Sequence, residues 1–138
     1  MPSYLTADRN TRMDALTTAL GTLPVMKFYS SSAGSVPASV NATASSLNVL
    51  LAQVAITSSN AFPASSSGLL TANAFTTESA ADGTGTATYA RFCTSGGTAH
   101  IQFTAGSSVG NELVLNSASI SSGAAVAITS MTILEGNA

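Results

Sequence analysis

The sequence predicts a mainly β fold, an antiparallel β-sandwich or barrel of about seven strands with one N-terminal α-helix. Apolar and polar residues alternate in several short runs, which is the period of a half-buried strand. Gly, Ser, Asn and Pro separate these runs about every ten residues, as turns do. Helical spacing is strong only near the start of the chain. We therefore expect a single β domain over residues 1–138, with residues 1–23 as an N-terminal helical segment or arm.

The predicted helix runs from Thr6 to Leu20. Thr6 or Asp8 is the expected cap, and Gly21 suits the position just past a helix end. A narrow apolar stripe follows one side of the helix. Such a stripe fits a helix packed on its own domain or an arm that docks on a neighbour. The stripe consists of Met13, Leu16 and Leu20.

Three strands are predicted next, over Pro24 to Ser31, Val49 to Thr57 and Leu69 to Thr76, with Ser-rich loops between them. Alternation places successive side chains on opposite faces of each strand. The expected buried positions are Met26 and Phe28 in the first strand, and Leu50, Ala52, Val54 and Ile56 in the second.

Residues 83–104 predict a β-hairpin, around which we expect the sheet to be built. Gly96-Gly97 is a turn signal, because tight hairpins need residues with positive φ. The alternation separates a buried face from an outer face. We expect Phe92, Ile101 and Phe103 on the buried face, and Tyr89, Arg91, His100 and Gln102 on the outer one.

Two further strands are predicted near the end of the sequence, Glu112 to Asn116 and Ala124 to Leu134. Leu113 and Leu115 would point inward from the first, and Ile120 would anchor the loop between the two. The apolar phase of the last strand slips by one at Thr129-Ser130, which indicates a β-bulge.

Charge is scarce in this chain. Only 7% of residues are charged, against about 25% in ordinary domains. Lys27 is the single lysine, although free β proteins commonly guard their sheet edges with lysine. Two interpretations remain open: a Ser/Thr-rich surface that is hydrophilic enough, or a surface covered in an assembly. The second predicts at least one poorly guarded sheet edge that a partner covers.

The remaining composition excludes several classes of partner. The net charge is −2 and the basic residues are scattered, so we expect no nucleic-acid partner. The longest near-apolar run is too short for a bilayer, so we expect no membrane partner. The start of the sequence lacks the basic and apolar regions of a signal peptide. Because Cys93 is the single cysteine, an intrachain disulfide is excluded. Synthesis in the cytoplasm is the simplest expectation.

No catalytic or metal-binding pattern is convincing. Residues 106–110 match G-x-S-x-G, and Ser108, His100 and Asp82 suggest a triad. A strand is predicted after this motif where the nucleophile elbow needs a helix, and the order of the three residues differs from that of the hydrolases. A lone His100 and a lone Cys93 do not make a zinc site. We expect no enzyme activity, no cofactor and no bound metal.

The residue types do indicate a contact surface. Tyr and Arg are enriched at protein interfaces, so Tyr89 and Arg91 are the candidate anchors on the sheet. The candidate anchors on the N-terminal segment are Leu5, Met13, Leu16 and Leu20.

Five stretches resemble a family of small virion-associated proteins of tailed bacteriophages, encoded near the head genes. The resemblance extends over most of the chain, and these stretches carry it. They are Leu16 to Gly21, Lys27 to Tyr29, Gly68 to Thr76, Gly85 to Phe92 and Leu113 to Ser130.

The resemblance implies a structural protein of the virion, foremost a capsid decoration (cement) protein that binds the assembled shell and stabilises it. The implied partners are the major capsid protein and further copies of this chain, and the implied location is the outer capsid surface. The alternatives are a head–tail connector or tail component, and a host-surface or glycan-binding module. The resemblance implies no catalytic residues.

Overall fold

The computed structural model describes residues 4–31, 34–43, 46–107, 113–129 and 131–134. It contains one helix and a series of short strands, of which only the backbone is described at Val114. In chain order the elements are α1 (Thr6–Leu20), β1 (Val25–Ser30), β2 (Val49–Ala55), β3 (Leu69–Thr71), β4 (Gly85–Thr86), β5 (Tyr89–Cys93), β6 (Ala99–Gly106), β7 (Leu113–Val114), β8 (Ser119–Ile120) and β9 (Thr132–Leu134).

The fold is mainly β with one N-terminal helix, as predicted. A five-stranded sheet has the order β2-β1-β5-β6-β7, and its first four strands are antiparallel. Two small sheets pair β3 with β9 and β4 with β8. The barrel alternative is not realised among the described strands. One apolar core joins the main sheet to side chains of α1, β3 and β8.

The central hairpin forms as predicted. Gly97 adopts a φ of +94° in the turn, and Thr94 closes the turn by bonding to Thr98 and Gly97. Phe92 lies opposite Ile101, and Ala90 lies opposite Phe103. Phe92 and Phe103 are buried on the core face, and Ile101 packs partly buried against it.

The first arm of the hairpin is shorter than predicted. It begins at Tyr89, whereas Gly85–Thr86 forms β4 and pairs with Ser119–Ile120. Ile120 is buried there, as expected of an anchor. Gly85 has the side chain of Ser30 close by, so this position lies tightly against β1.

The face of β2 was predicted in part wrongly. The register between β1 and β2 shifts between Phe28 and Tyr29, where Ala52 and Leu50 are their respective partners. Leu51 is the extra residue of this bulge, and its side chain is fully buried while that of Leu50 is half-buried. A bulge reverses the alternation locally. Counting alternate residues along the sequence could not show where the bulge lies.

The helix has the predicted bounds but not the predicted cap. Leu5 occupies the N-cap position and no side chain caps the helix there. At the other end Gly21, with a φ of +69°, donates its N–H to the Thr17 carbonyl, as a glycine past a helix end is expected to do.

The C-terminal strands differ most from prediction. β7 pairs with the end of β6 in the parallel direction, and Leu113 and Leu115 are buried as expected. The predicted strand from Ala124 to Leu134 is divided: Val126 and Ile128 make isolated bridges to Glu78 and Leu115, and only Thr132–Leu134 forms a strand. Leu69–Thr71 is likewise shorter than the predicted strand. The predicted bulge includes Ser130, which lies outside the described residues.

Candidate interaction surface

The outer face of the main sheet carries a polar row that crosses four strands. Strand register places Gln53 beside Lys27, Lys27 beside Arg91, and Arg91 beside Gln102. Two of the four basic residues of the chain therefore stand directly opposite each other. Like charges in that position repel, so this face needs compensating acceptors.

Arg91 finds those acceptors within the chain. Its Nε donates to Oε1 of Gln102 at 3.0 Å, and its Nη2 donates to the main-chain carbonyls of Ala42 at 2.6 Å and Ser39 at 3.4 Å. These three acceptors are a side-chain amide oxygen and two main-chain carbonyls, and none of them is a carboxylate. Arg91 as a whole is 8% exposed, so carbonyl dipoles balance its charge in a covered position.

Tyr89 is fully buried beside this row. Its ring stacks on that of Tyr29, with centroids 5.0 Å apart and planes 10° from parallel. Its hydroxyl accepts a hydrogen bond from Nδ2 of Asn48 at 2.9 Å. A buried tyrosine needs such a partner for its hydroxyl.

The prediction of Tyr89 and Arg91 as exposed residues of an outer face is therefore wrong in its exposure, although the face itself is correct. Residues 34–43 and 46–48, which we call the strap, lie over this part of the sheet. Alternation along a strand shows which side chains share a face. It does not show that a distant loop covers that face.

The N-terminal helix belongs to the core. Met13 and Leu20 are buried in the same cluster as the sheet, and Leu16 packs against that cluster. Polar contacts add to this attachment: Asp14 accepts the N–H of Ser65 at 2.8 Å, and Asn10 accepts that of Gly68 at 2.8 Å. Within this fold Met13 and Leu20 are enclosed, so an arm that presents them to a neighbour is not what the structure contains.

Leu5 is the candidate anchor that the fold leaves accessible, at 74% exposure. Sequence patterns did not single out the other exposed large apolar side chains. Leu69 and Leu134 are cross-strand partners in the β3–β9 sheet and are both exposed. The further exposed residues of this kind are Tyr4, Leu23, Val36, Leu47 and Val49.

The outer edge of β2 is covered by the chain itself. Gly83 donates its N–H to the Leu51 carbonyl at 3.0 Å, and Thr76 exchanges backbone and side-chain hydrogen bonds with Ala55. Gln53 reaches Asp82 from the same strand at 3.4 Å. A loop thus guards this edge where lysines would otherwise do so, and no partner is needed there.

Burial affects two titratable groups on the outer face. It raises the pKa of the Cys93 thiol, although nearby Lys27 and Arg91 oppose the rise. It also raises the pKa of the Tyr29 phenol. Both groups hold their protons more firmly than in an unfolded chain, so neither is prepared to act as a base or a thiolate nucleophile.

The residues of the rejected triad are not assembled by any described contact. His100 and Asp82 are exposed, and Ser108 lies outside the described residues. Within the described ranges, no three His, Cys, Asp or Glu side chains are grouped as a metal site requires. The 15-residue helix α1 is too short and too polar to span a bilayer, and the described part of the chain has no other helix.

One groove is lined largely by small and apolar side chains. It has a volume of about 390 Å³ and lies between residues 71–75 on one side and residues 128, 129 and 131 on the other, where Phe75, Ile128 and Met131 contribute to its wall. Its lining offers carbonyls, amides and methyl groups rather than titratable groups, which suits contact with apolar side chains better than chemistry.

Comparison with known proteins adds no relative: no family model, curated protein or solved structure matches this chain.

Proposed function

We propose that this chain is a structural protein of a phage virion that decorates the assembled capsid and stabilises it. The observation that carries this proposal is a nearly uncharged chain, with 7% charged residues, which leaves eight large apolar side chains exposed among the residues that the structure describes. A surface of this kind favours burial against protein. The stretches that resemble virion-associated proteins also support the proposal.

Stabilisation would come from selective binding to the assembled state. A protein that binds the closed shell but not free subunits shifts the equilibrium toward the shell, and many copies multiply the effect. The partners in this proposal are the major capsid protein and neighbouring copies, and the location is the outer surface of the virion.

Leu69 and Leu134 are the proposed shell contacts, because they lie side by side in the β3–β9 sheet, 38% and 60% exposed. The test is co-sedimentation of purified protein with undecorated capsids. We expect Leu69→Glu together with Leu134→Glu to abolish binding. Leu23→Glu, at an exposed position outside that sheet, is the matched control and should retain it. Equal binding by the double variant would refute this assignment of the contact.

Copy number separates decoration from the alternative virion roles. Hundreds of copies in a purified virion indicate decoration, whereas a single small ring indicates a connector or tail component. A glycan-binding module would need exposed aromatic platforms. Of the three tyrosines, Tyr89 is buried and Tyr4 has the guanidinium of Arg12 4.2 Å from its ring centre, which makes this alternative less favourable.

A further inference from the structure

The contacts between the strap and the sheet are made chiefly to main-chain atoms of the strap. Gln102 donates from Nε2 to the Pro37 carbonyl at 2.7 Å, and Arg91 donates to the carbonyls of Ser39 and Ala42. The sheet therefore offers amide and guanidinium donors to the carbonyls of a chain that lies across it. The stacked rings of Tyr29 and Tyr89 belong to the same face.

The side chains of the strap add little to this attachment. Val36 and Leu47 are 44% and 58% exposed, and Pro37 is the buried side chain between residues 34 and 43. Asn48 is the exception, because its amide joins the Ser35 carbonyl to the hydroxyl of Tyr89. A surface that binds carbonyls can accept other sequences, since every peptide carries the same carbonyls.

We propose that this outer face is a peptide-binding face that holds the chain's own strap, and that an extended segment of a partner chain can replace the strap there. Arg91 and Gln102 would bind the carbonyls of that segment as they bind those of the strap. This inference holds whether or not the chain decorates a shell.

Replacement requires the strap to leave without unfolding the sheet. The described strap contains no helix or strand, and it buries few side chains. Segments with few buried contacts open at lower free energy than the core of a sheet. The five residues of β5, by contrast, are all buried.

Native-state hydrogen exchange tests the opening. We expect strap amides to exchange at least about 100-fold faster than β5 amides, and at rates that hardly change in low urea, because local opening exposes little surface. Gln102→Ala should speed strap exchange about 5-fold. Gln53→Ala, in the same row but bonded to Asp82, should leave it unchanged. The proposal would be overturned if the exchange rates of the strap amides and of the β5 amides respond alike to urea and to both variants.

A synthetic peptide copying residues 34–48 tests the replacement in the full-length protein. The tethered strap competes with it, and short tethers give effective concentrations in the millimolar range. We therefore expect saturable NMR shifts at the side-chain N–H groups of Arg91 and Gln102, with an apparent Kd on the order of millimolar or weaker. A peptide with alanine in place of Val36 and Leu47 should bind equally. A strap that opens while the peptide shifts neither group would also overturn the proposal.

Discussion

Arg91 and Gln102 lie directly opposite each other on β5 and β6, and Nε of Arg91 donates to Oε1 of Gln102 at 3.0 Å. Gln102 in turn donates its amide to the carbonyl of Pro37 at 2.7 Å. This pair links the sheet to the strap, because both residues donate hydrogen bonds to main-chain carbonyls of the strap. The attachment of the strap to the outer face of the sheet depends on Arg91 and Gln102.

Arg91→Lys should therefore lower the free energy of unfolding by about 1–3 kcal/mol, since an ammonium cannot reproduce the planar set of donors. Urea denaturation measures the change. Arg12→Lys, at an exposed position on α1, is the control and should cost less than about 0.5 kcal/mol. Equal effects at the two positions would contradict the role of Arg91.

Gly83→Ala should destabilise the protein by about 1–3 kcal/mol. A Cβ at this position would lie 2.6 Å from the Leu50 carbonyl oxygen, so the segment that covers the edge of β2 would have to move. Gly96→Ala is the matched control, because its nearest neighbour would be 3.7 Å away. Thermal unfolding of both variants should show a lower Tm for Gly83→Ala alone.

Removal of a helix side chain distinguishes core from arm. Leu20→Ala should cost about 2–5 kcal/mol, because Leu20 is 1% exposed. Leu5→Ala, at 74% exposure, should stay within about 0.5 kcal/mol. Deletion of residues 1–21 should abolish cooperative unfolding as followed by circular dichroism. A deleted chain that still unfolds cooperatively would show that the helix is dispensable to the fold.

Phe103→Ala tests the faces of the hairpin. We expect a loss of about 3–5 kcal/mol, because Phe103 is 6% exposed on the core face of β6. His100→Ala, at an exposed position in the same strand, should be nearly neutral. A loss below about 1 kcal/mol at Phe103 would mean that the faces are reversed.

Stability should decline at high pH. Burial raises the pKa of Cys93 and of Tyr29, so the folded chain keeps protons that the unfolded chain has already lost. The stabilisation is complete below the unfolded pKa values, about 8.5 for Cys and about 10 for Tyr, and is lost as pH rises through the folded values. Urea midpoints from about pH 8 to 11 measure this decline. Cys93→Ala should make the decline shallower, and an unchanged slope would contradict it.

Local patterns in the sequence determined the parts of the structure that depend on neighbouring residues. Helical spacing and Gly21 define α1, and alternation defines which side chains of β5 and β6 share a face. The Gly96-Gly97 signal places the turn, because a residue with positive φ is needed there. The composition by itself also shows that charged residues are scarce.

Only the tertiary structure decided the features that depend on distant residues. Leu51 turns inward because a bulge against β1 reverses its alternation, and β7 pairs in the parallel direction with the end of β6, at Ala105 and Gly106. The strap covers Tyr89 and Arg91. Its carbonyls at Ala42 and Ser39, which lie 49 and 52 residues from Arg91 in the sequence, accept hydrogen bonds from the Arg91 guanidinium. Main-chain carbonyls are the same in every residue, so no sequence pattern marks which ones will meet a buried arginine.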